Sequence, residues 1–231
     1  MPRYSLPADS ERFVCPCGEA SPPLAPVFVE NMADAVGTPY PDVQGRKLSF
    51  AAGEVLHRVG DADDGIDVIE DGLVKLEQTA FDGTTMIVNL LGPGHVCGLE
   101  VLVAGFHQHT ATALLPVTAR RASRAAVEGL LPRRRLLEAW HVSLIRTQER
   151  FRDITVGTAR QRTARLFLLL PADSEHRCRL FARNEVAAVL GVSRKTADTA
   201  IADLKKAGAL REVSPGSFIR DDDLLSAAAL V

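Results

Sequence analysis

The stretch from residue 183 to residue 208 constrains the fold more than any other part of the chain. It opens with three apolar residues that have the spacing of one helix face: Val186, Val189 and Leu190. Gly191 follows and permits a sharp reversal of the backbone. Ser193 is placed to cap a second helix, whose inward face is predicted to comprise Ala197, Ala200, Ile201 and Leu204. The pattern predicts a helix-turn-helix.

The second helix begins with polar and basic residues predicted to be exposed where a recognition helix meets DNA: Ser193, Arg194, Lys195, Thr196 and Thr199. Residues 210–213 and 218–220, separated by the turn 214–217, are predicted to form a β-hairpin. A hairpin in this position completes a winged helix. A helical hairpin with no role at DNA is the simpler alternative, because glycine turns are common in such hairpins.

The charge distribution supports DNA binding although the net charge of the chain is −2. From residue 156 onward the chain has 12 Lys and Arg residues and 9 Asp and Glu residues. The excess of basic charge therefore lies in the same part of the chain as the motif. The 231 residues are enough for two domains. We predict a winged helix-turn-helix DNA-binding domain over residues 156–231.

Glycines and Asp-Gly pairs recur between residues 41 and 131 and separate short apolar runs. Such frequent turns predict many short strands and therefore a β-barrel or jelly roll. We assign residues 26–131 to this β-roll, as a sensor domain. Residues 1–25 are rich in proline and are predicted to form an irregular N-terminal arm.

Residues 132–155 show helical periodicity with a heptad seam, which we predict to be a dimer interface: Leu137, Trp140, Leu144, Thr147, Phe151 and Ile154. Two recognition helices are usually needed to bind DNA half-sites one helical turn apart. Packing of this helix on its own β-domain is the alternative.

Targeting signals are not evident. No apolar run reaches the ~20 residues of a membrane span, and the N-terminus lacks the apolar core of a signal peptide. We therefore expect a cytoplasmic protein without a membrane partner. The four cysteines do not suggest a disulfide framework.

The order of β-roll, long helix and winged helix resembles the cyclic AMP receptor and fumarate-nitrate reduction regulator (CRP/FNR) family of bacterial transcription factors. The resemblance covers nearly the whole chain and is carried by residues 50–54, 69–72, 82–88, 91–94, 163–167 and 183–210. It implies an α+β fold: an N-terminal double-stranded β-helix (jelly-roll) sensor domain, a long dimerisation helix and a C-terminal winged helix-turn-helix. It also implies a homodimer that binds near-palindromic double-stranded DNA, contacts RNA polymerase if it is an activator, and is not an enzyme.

Carried over by position, the resemblance places Arg183 at a DNA phosphate and Ser193, Arg194 and Lys195 at the groove-reading start of the second helix. Family members often have Glu and Arg where this chain has Lys195 and Thr199. Glu accepts from cytosine and Arg pairs with guanine, so a different half-site is predicted.

The resemblance places an effector pocket at six residues: Cys97, Gly98, Leu99, Glu100, His109 and Thr110. Cyclic AMP binding is disfavoured, because Leu99 and His109 replace the family's ribose-binding Glu and phosphate-binding Arg. Glu100 is displaced from the Glu position by one residue.

Two cofactor interpretations remain open beside regulation without an effector. The haem-containing relatives that sense carbon monoxide begin Met-Pro and have a loop cysteine, which here are Pro2 and Cys97, with His95 as a substitute for a missing loop histidine. Iron–sulfur relatives use cysteines, and Cys15, Cys17 and Cys97 leave the cluster one ligand short.

A different class, a cupin-like metal enzyme, is suggested by the spacing of His107 and His109. That pattern requires a carboxylate four or five residues later, where the chain has Ala113 and Leu114. The sequence therefore disfavours an enzyme.

Overall fold

The computed structural model describes residues 45–63, 65–130 and 133–230. The first part forms strands β1 to β8 and a short helix, α1: β1 (Arg46–Phe50), β2 (Val55–His57), β3 (Gly65–Asp71), β4 (Val74–Thr79), β5 (Thr85–Leu91), β6 (Val96–Cys97), α1 (Val101–Ala104), β7 (Thr110–Ala113) and β8 (Val117–Ser123). The strands pair antiparallel in the orders β1-β8-β3-β6 and β2-β7-β4-β5. One apolar cluster takes side chains from both sheets, as Ile69 of β3 and Val74 of β4 illustrate. This is the predicted jelly-roll architecture.

Gly72 shows why glycine is needed at one of these turns. Its φ is +93°, and a Cβ atom there would lie 2.1 Å from the carbonyl oxygen of Pro116. Any other residue would meet both backbone strain and a steric clash, so the β3–β4 turn depends on this glycine.

A short helix, α2 (Arg124–Leu130), and a long helix, α3 (Arg133–Thr155), follow the β-roll. The long helix agrees with the helix predicted over 132–155. It is anchored to β5, since Asn89 Nδ2 donates to Thr147 Oγ1 over 2.9 Å and Arg150 donates to the carbonyl oxygen of Leu90.

The C-terminal part contains helices α4 to α7 and strands β9 to β11: α4 (Ala159–Leu169), β9 (Arg177–Arg179), α5 (Arg183–Leu190), α6 (Arg194–Lys206), β10 (Leu210–Ser214), β11 (Ser217–Arg220) and α7 (Asp222–Leu230). Phe167 and Phe218 are fully buried and meet edge to face, with ring centroids 5.3 Å apart. Arg220 donates to the carbonyl oxygens of Phe167 and Leu170 over 2.6 and 2.7 Å and so satisfies the end of α4.

The predicted hairpin is present as β10 and β11. The structure adds β9, which pairs with β11 and which the sequence analysis missed. This strand has three residues and no turn signal of its own, so local patterning gave little indication of it.

Candidate DNA interface and sensor pocket

Helix α6 has the local structure expected of a recognition helix. The hydroxyl of Ser193 accepts a hydrogen bond from the Thr196 amide over 3.1 Å and caps the N-terminus. The predicted inward face is buried: Ala197, Ala200, Ile201 and Leu204. Five predicted contact residues are exposed on the other side: Ser193, Arg194, Lys195, Thr196 and Thr199. The apolar face therefore fixes the helix and leaves its polar start open to solvent.

Asp198 links two of the basic residues near this surface. Its carboxylate oxygens lie 3.8 Å from Arg183 Nε and 3.8 Å from Arg194 Nε. Arg183, at the start of α5, is half-buried beside the ring of Phe218, whereas the Arg194 side chain is 64% exposed. Arg194 is consequently the more accessible of the two, and Arg183 is held in place by its surroundings.

The wing is tied to α6 by an ion pair. Lys205 Nζ lies 2.6 Å from Glu212 Oε2, which joins the last turn of the helix to β10. Because both side chains are substantially exposed, the pair contributes little stability and serves mainly to orient the hairpin.

The seam predicted on α3 divides into two groups. Four residues are exposed and apolar: Leu137 (72%), Trp140 (41%), Leu144 (50%) and Phe151 (57%). Thr147 is instead hydrogen-bonded to Asn89, and Ile154 is 3% exposed in the core cluster of the C-terminal domain. Both side chains thus have partners in their own chain, whereas the four exposed residues have apolar surface available for a second copy. The dimer interface stays a prediction.

An ion pair joins the β-roll to the C-terminal domain. Lys75 of β4 is buried, and its Nζ lies 2.9 Å from Glu77 Oε1 and 2.8 Å from Glu185 Oε2 on α5. Burial alone would lower the pKa of Lys75, but its hydrogen bonds to Glu185 and Glu77 outweigh burial and raise it. The charged form of Lys75 is thus stabilised at the contact.

The predicted effector residues of the β-roll lie in two environments. Cys97 and Leu99 are buried in apolar clusters, and Thr110 Oγ1 accepts from the Val59 amide over 3.1 Å. Glu100 and His109 face each other, with Glu100 Oε1 3.8 Å from His109 Nδ1. Gly98 has φ +84°, and a Cβ atom there would lie 3.0 Å from the His107 ring.

Two further histidines complete this second environment. One donor atom each from His57, Glu100 and His107 lies within 4.8 Å of the others. The rings of His57 and His107 stack, with centroids 3.4 Å apart and planes inclined by 6°. His57 could not be predicted from the sequence, because a single histidine at the end of a strand carries no local signal. The cupin-like pattern required a carboxylate at residue 113 or 114, whereas the carboxylate close to His107 in space is that of Glu100.

The electrostatics of the histidine cluster follow from burial and from nearby charges. Burial, and then the neighbouring His107, lowers the pKa of His57 to about 4. Burial would raise the pKa of Glu100, but contact with His109 and backbone hydrogen bonds lower it to about 2. Arg121 and His107 similarly hold the pKa of Asp63 below its usual value, against the effect of burial. The cluster therefore contains carboxylates and a neutral imidazole at neutral pH.

The cofactor predictions fall partly outside the described residues, since Pro2, Cys15 and Cys17 lie there. His95 Nδ1 is 3.0 Å from the Gly92 carbonyl oxygen, to which it donates. The Cys97 side chain is 1% exposed, with Sγ 3.9 Å from His57 Nε2, and burial raises its thiol pKa well above the usual value. The Cys97 thiol is therefore enclosed in the β-roll core in this arrangement.

These features define a class of protein: a β-roll sensor fused through a long helix to a winged helix-turn-helix. Residues 47–134 match the family model of the cyclic nucleotide-binding domain. The chain is 25% identical over 195 residues to the CRP-like cAMP-activated global transcriptional regulator of Mycobacterium tuberculosis strain H37Rv, covering 79% of this chain and 87% of that protein.

Solved structures show the same fold. FixK2 from Bradyrhizobium japonicum aligns with a TM-score of 0.69 at 19% identity, over 81% of this chain and 98% of that one. A CRP-family transcriptional regulator from Thermus thermophilus aligns with a TM-score of 0.64 at 20% identity, over 79% and 96%. The chain therefore has the fold of these regulators, and its N-terminal part matches the cyclic nucleotide-binding domain. Helices long and apolar enough to span a membrane are not found in the described part of the chain.

Proposed function

We propose that this protein is a homodimeric transcription regulator that reads near-palindromic DNA with α6 and is not controlled by cyclic AMP. The observation that carries the proposal is the exposed start of α6 on a well-packed winged helix. Ser193, Arg194 and Lys195 present a hydroxyl and two cations there, the groups that contact base edges and phosphates. Such a regulator works where DNA is, in the cytoplasm, and contacts RNA polymerase if it activates.

The homodimer is supported by the exposed apolar residues of α3. Leu137, Trp140, Leu144 and Phe151 are each more than two-fifths exposed, which is costly for large apolar side chains grouped on one helix. Burial against a second copy removes this surface from water at about 25 cal/mol per Å². The symmetry of such a dimer matches that of a near-palindromic site.

Independence from cyclic AMP is supported by the charges around the predicted pocket. Asp63, Asp67 and Glu100 place carboxyl groups there, and Arg121 already contacts two of them. A cyclic phosphate would require a cation, and His109 stands where the family's phosphate-binding Arg would be.

A haem sensor is not supported by the described residues. Haem needs an accessible axial ligand, but Cys97 is enclosed by the β-roll core. The iron–sulfur alternative depends on Cys15 and Cys17, and with Cys97 these still leave the cluster one cysteine ligand short. Control without an effector remains compatible with the same DNA interface.

Sedimentation of the full chain tests the dimer, and calorimetry tests the nucleotide. Leu144→Glu is expected to convert a dimer into a monomer, whereas Leu224→Glu, which changes a similarly exposed residue on α7, is expected to leave the dimer intact. Cyclic AMP is expected to produce no binding heat. A monomeric wild type, or saturable binding of cyclic AMP, would contradict the corresponding part of the proposal.

A further inference from the structure

The cluster of His57, Glu100 and His107 lies in the β-roll rather than on the winged helix, and its geometry resembles an assembled ligand set. The three residues come from the end of β2, the segment before α1 and the segment before β7. His57 and His107 are 6% and 1% exposed, so three distant parts of the chain converge on one enclosed point.

We propose that His57, Glu100 and His107 bind one divalent transition-metal ion in the β-roll, and that its occupancy changes the affinity of the protein for DNA. Two imidazoles and a carboxylate suit Fe²⁺, Co²⁺, Ni²⁺ or Zn²⁺. The metal site stands by itself, whereas the effect on DNA rests on the proposed function.

Asp63 prepares His107 to be a ligand. Asp63 Oδ2 accepts a hydrogen bond from His107 Nε2 over 3.1 Å. This contact places the imidazole proton on Nε2 and leaves a lone pair on Nδ1, the arrangement in which a carboxylate orients a metal-binding histidine. Asp63 forms an ion pair with Arg121, which fixes the carboxylate that orients the His107 ring.

The inner atoms of the cluster lack the partners that buried polar atoms normally have. His57 Nδ1, His107 Nδ1 and His109 Nδ1 are buried and have no hydrogen-bond partner within the described residues. Unpaired buried nitrogens are costly. Two of these nitrogens, on His107 and His109, face the Glu100 carboxylate, an arrangement that favours a bound cation.

Glu100 supplies that carboxylate. Its Oε1 lies 3.7 Å from His107 Nδ1 and 3.8 Å from His109 Nδ1, too far for hydrogen bonds. With the proton of His107 on Nε2, two electron-rich atoms face each other across this gap. A cation between them removes the conflict, and His109 is placed to be a fourth ligand.

Binding requires only local adjustment. Ligand atoms about 2.1 Å from a tetrahedral ion lie about 3.4 Å apart, so donors now within 4.8 Å must approach by up to about 1.4 Å. The rings of His57 and His107 are stacked, so the lone pairs of the two rings lie in nearly parallel planes. They must tilt so that both lone pairs meet at the ion.

Occupancy has a route to the rest of the protein. The ion would tie β2 to residues 100–109, which include α1 and lead directly into β7. Strand β7 pairs with β4, which carries Lys75 and its contact to Glu185 on the helix-turn-helix. A movement of β7 on metal binding would therefore be passed to β4, the strand that contacts the DNA-binding domain.

Cobalt titration of the chelator-stripped full chain tests the site. We expect one equivalent of Co²⁺ per chain, visible d–d absorption without a strong sulfur-to-metal band, and displacement by Zn²⁺. Glu100→Gln and His107→Gln should each weaken binding at least about tenfold. His141→Gln, which changes an exposed histidine on α3, should not. Glu100→Gln nearly preserves size, and thermal unfolding checks that each variant is folded.

Several results would overturn the metal site. They are absence of stoichiometric binding, equal affinity in the Glu100 and His141 variants, or a strong sulfur-to-cobalt band that places the ion on cysteine. In those cases the contact of His107 with Asp63 would have a structural role only.

The regulatory effect is measured separately by fluorescence anisotropy on an operator selected from random duplexes, with Zn²⁺ or with chelator. A change in affinity of about fivefold or more that is lost in Glu100→Gln is expected. An unchanged affinity would overturn the regulation and leave the site, whereas no specific DNA binding in either state would contradict the proposed function instead.

Discussion

The ion pair between Lys75 and Glu185 offers a quantitative test, because it joins the β-roll to the helix-turn-helix. The side chains of Lys75 and Glu185 are 10% and 37% exposed and their charged atoms lie 2.8 Å apart. Breaking a fully buried pair costs about 3–5 kcal/mol, and an exposed pair contributes at most about 1 kcal/mol. Since Glu77 still neutralises Lys75, we expect Glu185→Gln to lower the free energy of unfolding by about 1 kcal/mol.

A double-mutant cycle with Lys75→Met isolates this interaction. Denaturation at one fixed protein concentration should give a coupling free energy of about 1 kcal/mol. The matched cycle of Lys205→Met with Glu212→Gln, an exposed pair within the winged helix, should give less than about 0.5 kcal/mol.

The coupling free energy between Lys75 and Glu185 should change with pH in a definite direction. The pKa of Lys75 is raised in the folded state above its ordinary value of 10.5. Its contribution is therefore fully present at neutral pH and is lost as the pH rises through the folded-state pKa. A coupling near zero at neutral pH, or one that grows in alkali, would refute the contact between the two domains.

Three further predictions concern the DNA interface and the two cores. Arg194→Ala should weaken specific DNA binding by about 1–3 kcal/mol per half-site, as measured by anisotropy. It should change the free energy of unfolding, measured by denaturation, by less than about 0.5 kcal/mol. Equal losses of affinity for specific and random duplexes, with a smaller dependence on salt, would instead make Arg194 a phosphate contact. Phe218→Ala should cost about 3–5 kcal/mol of unfolding free energy, because the ring is fully buried against Phe167; a loss below about 1 kcal/mol would contradict this packing. Cys97 should resist alkylation, followed by peptide-resolved mass spectrometry, until the protein unfolds, since burial raises its thiol pKa; rapid labelling of the native protein would show an open pocket.

The helix-turn-helix could be predicted in detail from the sequence. Its determinants are local: the helical spacing of Ala197, Ala200, Ile201 and Leu204, the capping hydroxyl of Ser193, and Gly191 with φ +59° at the turn. Each acts over a few residues, so periodicity and capping rules describe it.

The cluster of His57, Glu100 and His107 could not be predicted in this way. His57 lies more than 40 residues before Glu100 and His107, and pairing of β2 with β7, together with backbone contacts of His107, brings these segments together. Pairing between strands distant in sequence leaves no local spacing signal. Similarly, the heptad pattern did not distinguish Ile154, which packs into its own chain, from Phe151, which is exposed, because both fit the same helical periodicity.

The most direct test of the account is selection of duplexes from a random library by the full chain without added nucleotide, followed by titration of the enriched duplex. We predict two related half-sites in near two-fold symmetry with centres about 10 base pairs apart, or a multiple of that, bound by two chains and unaffected by cyclic AMP. Failure to enrich any sequence, or enrichment only when cyclic AMP is present, would contradict the central claim.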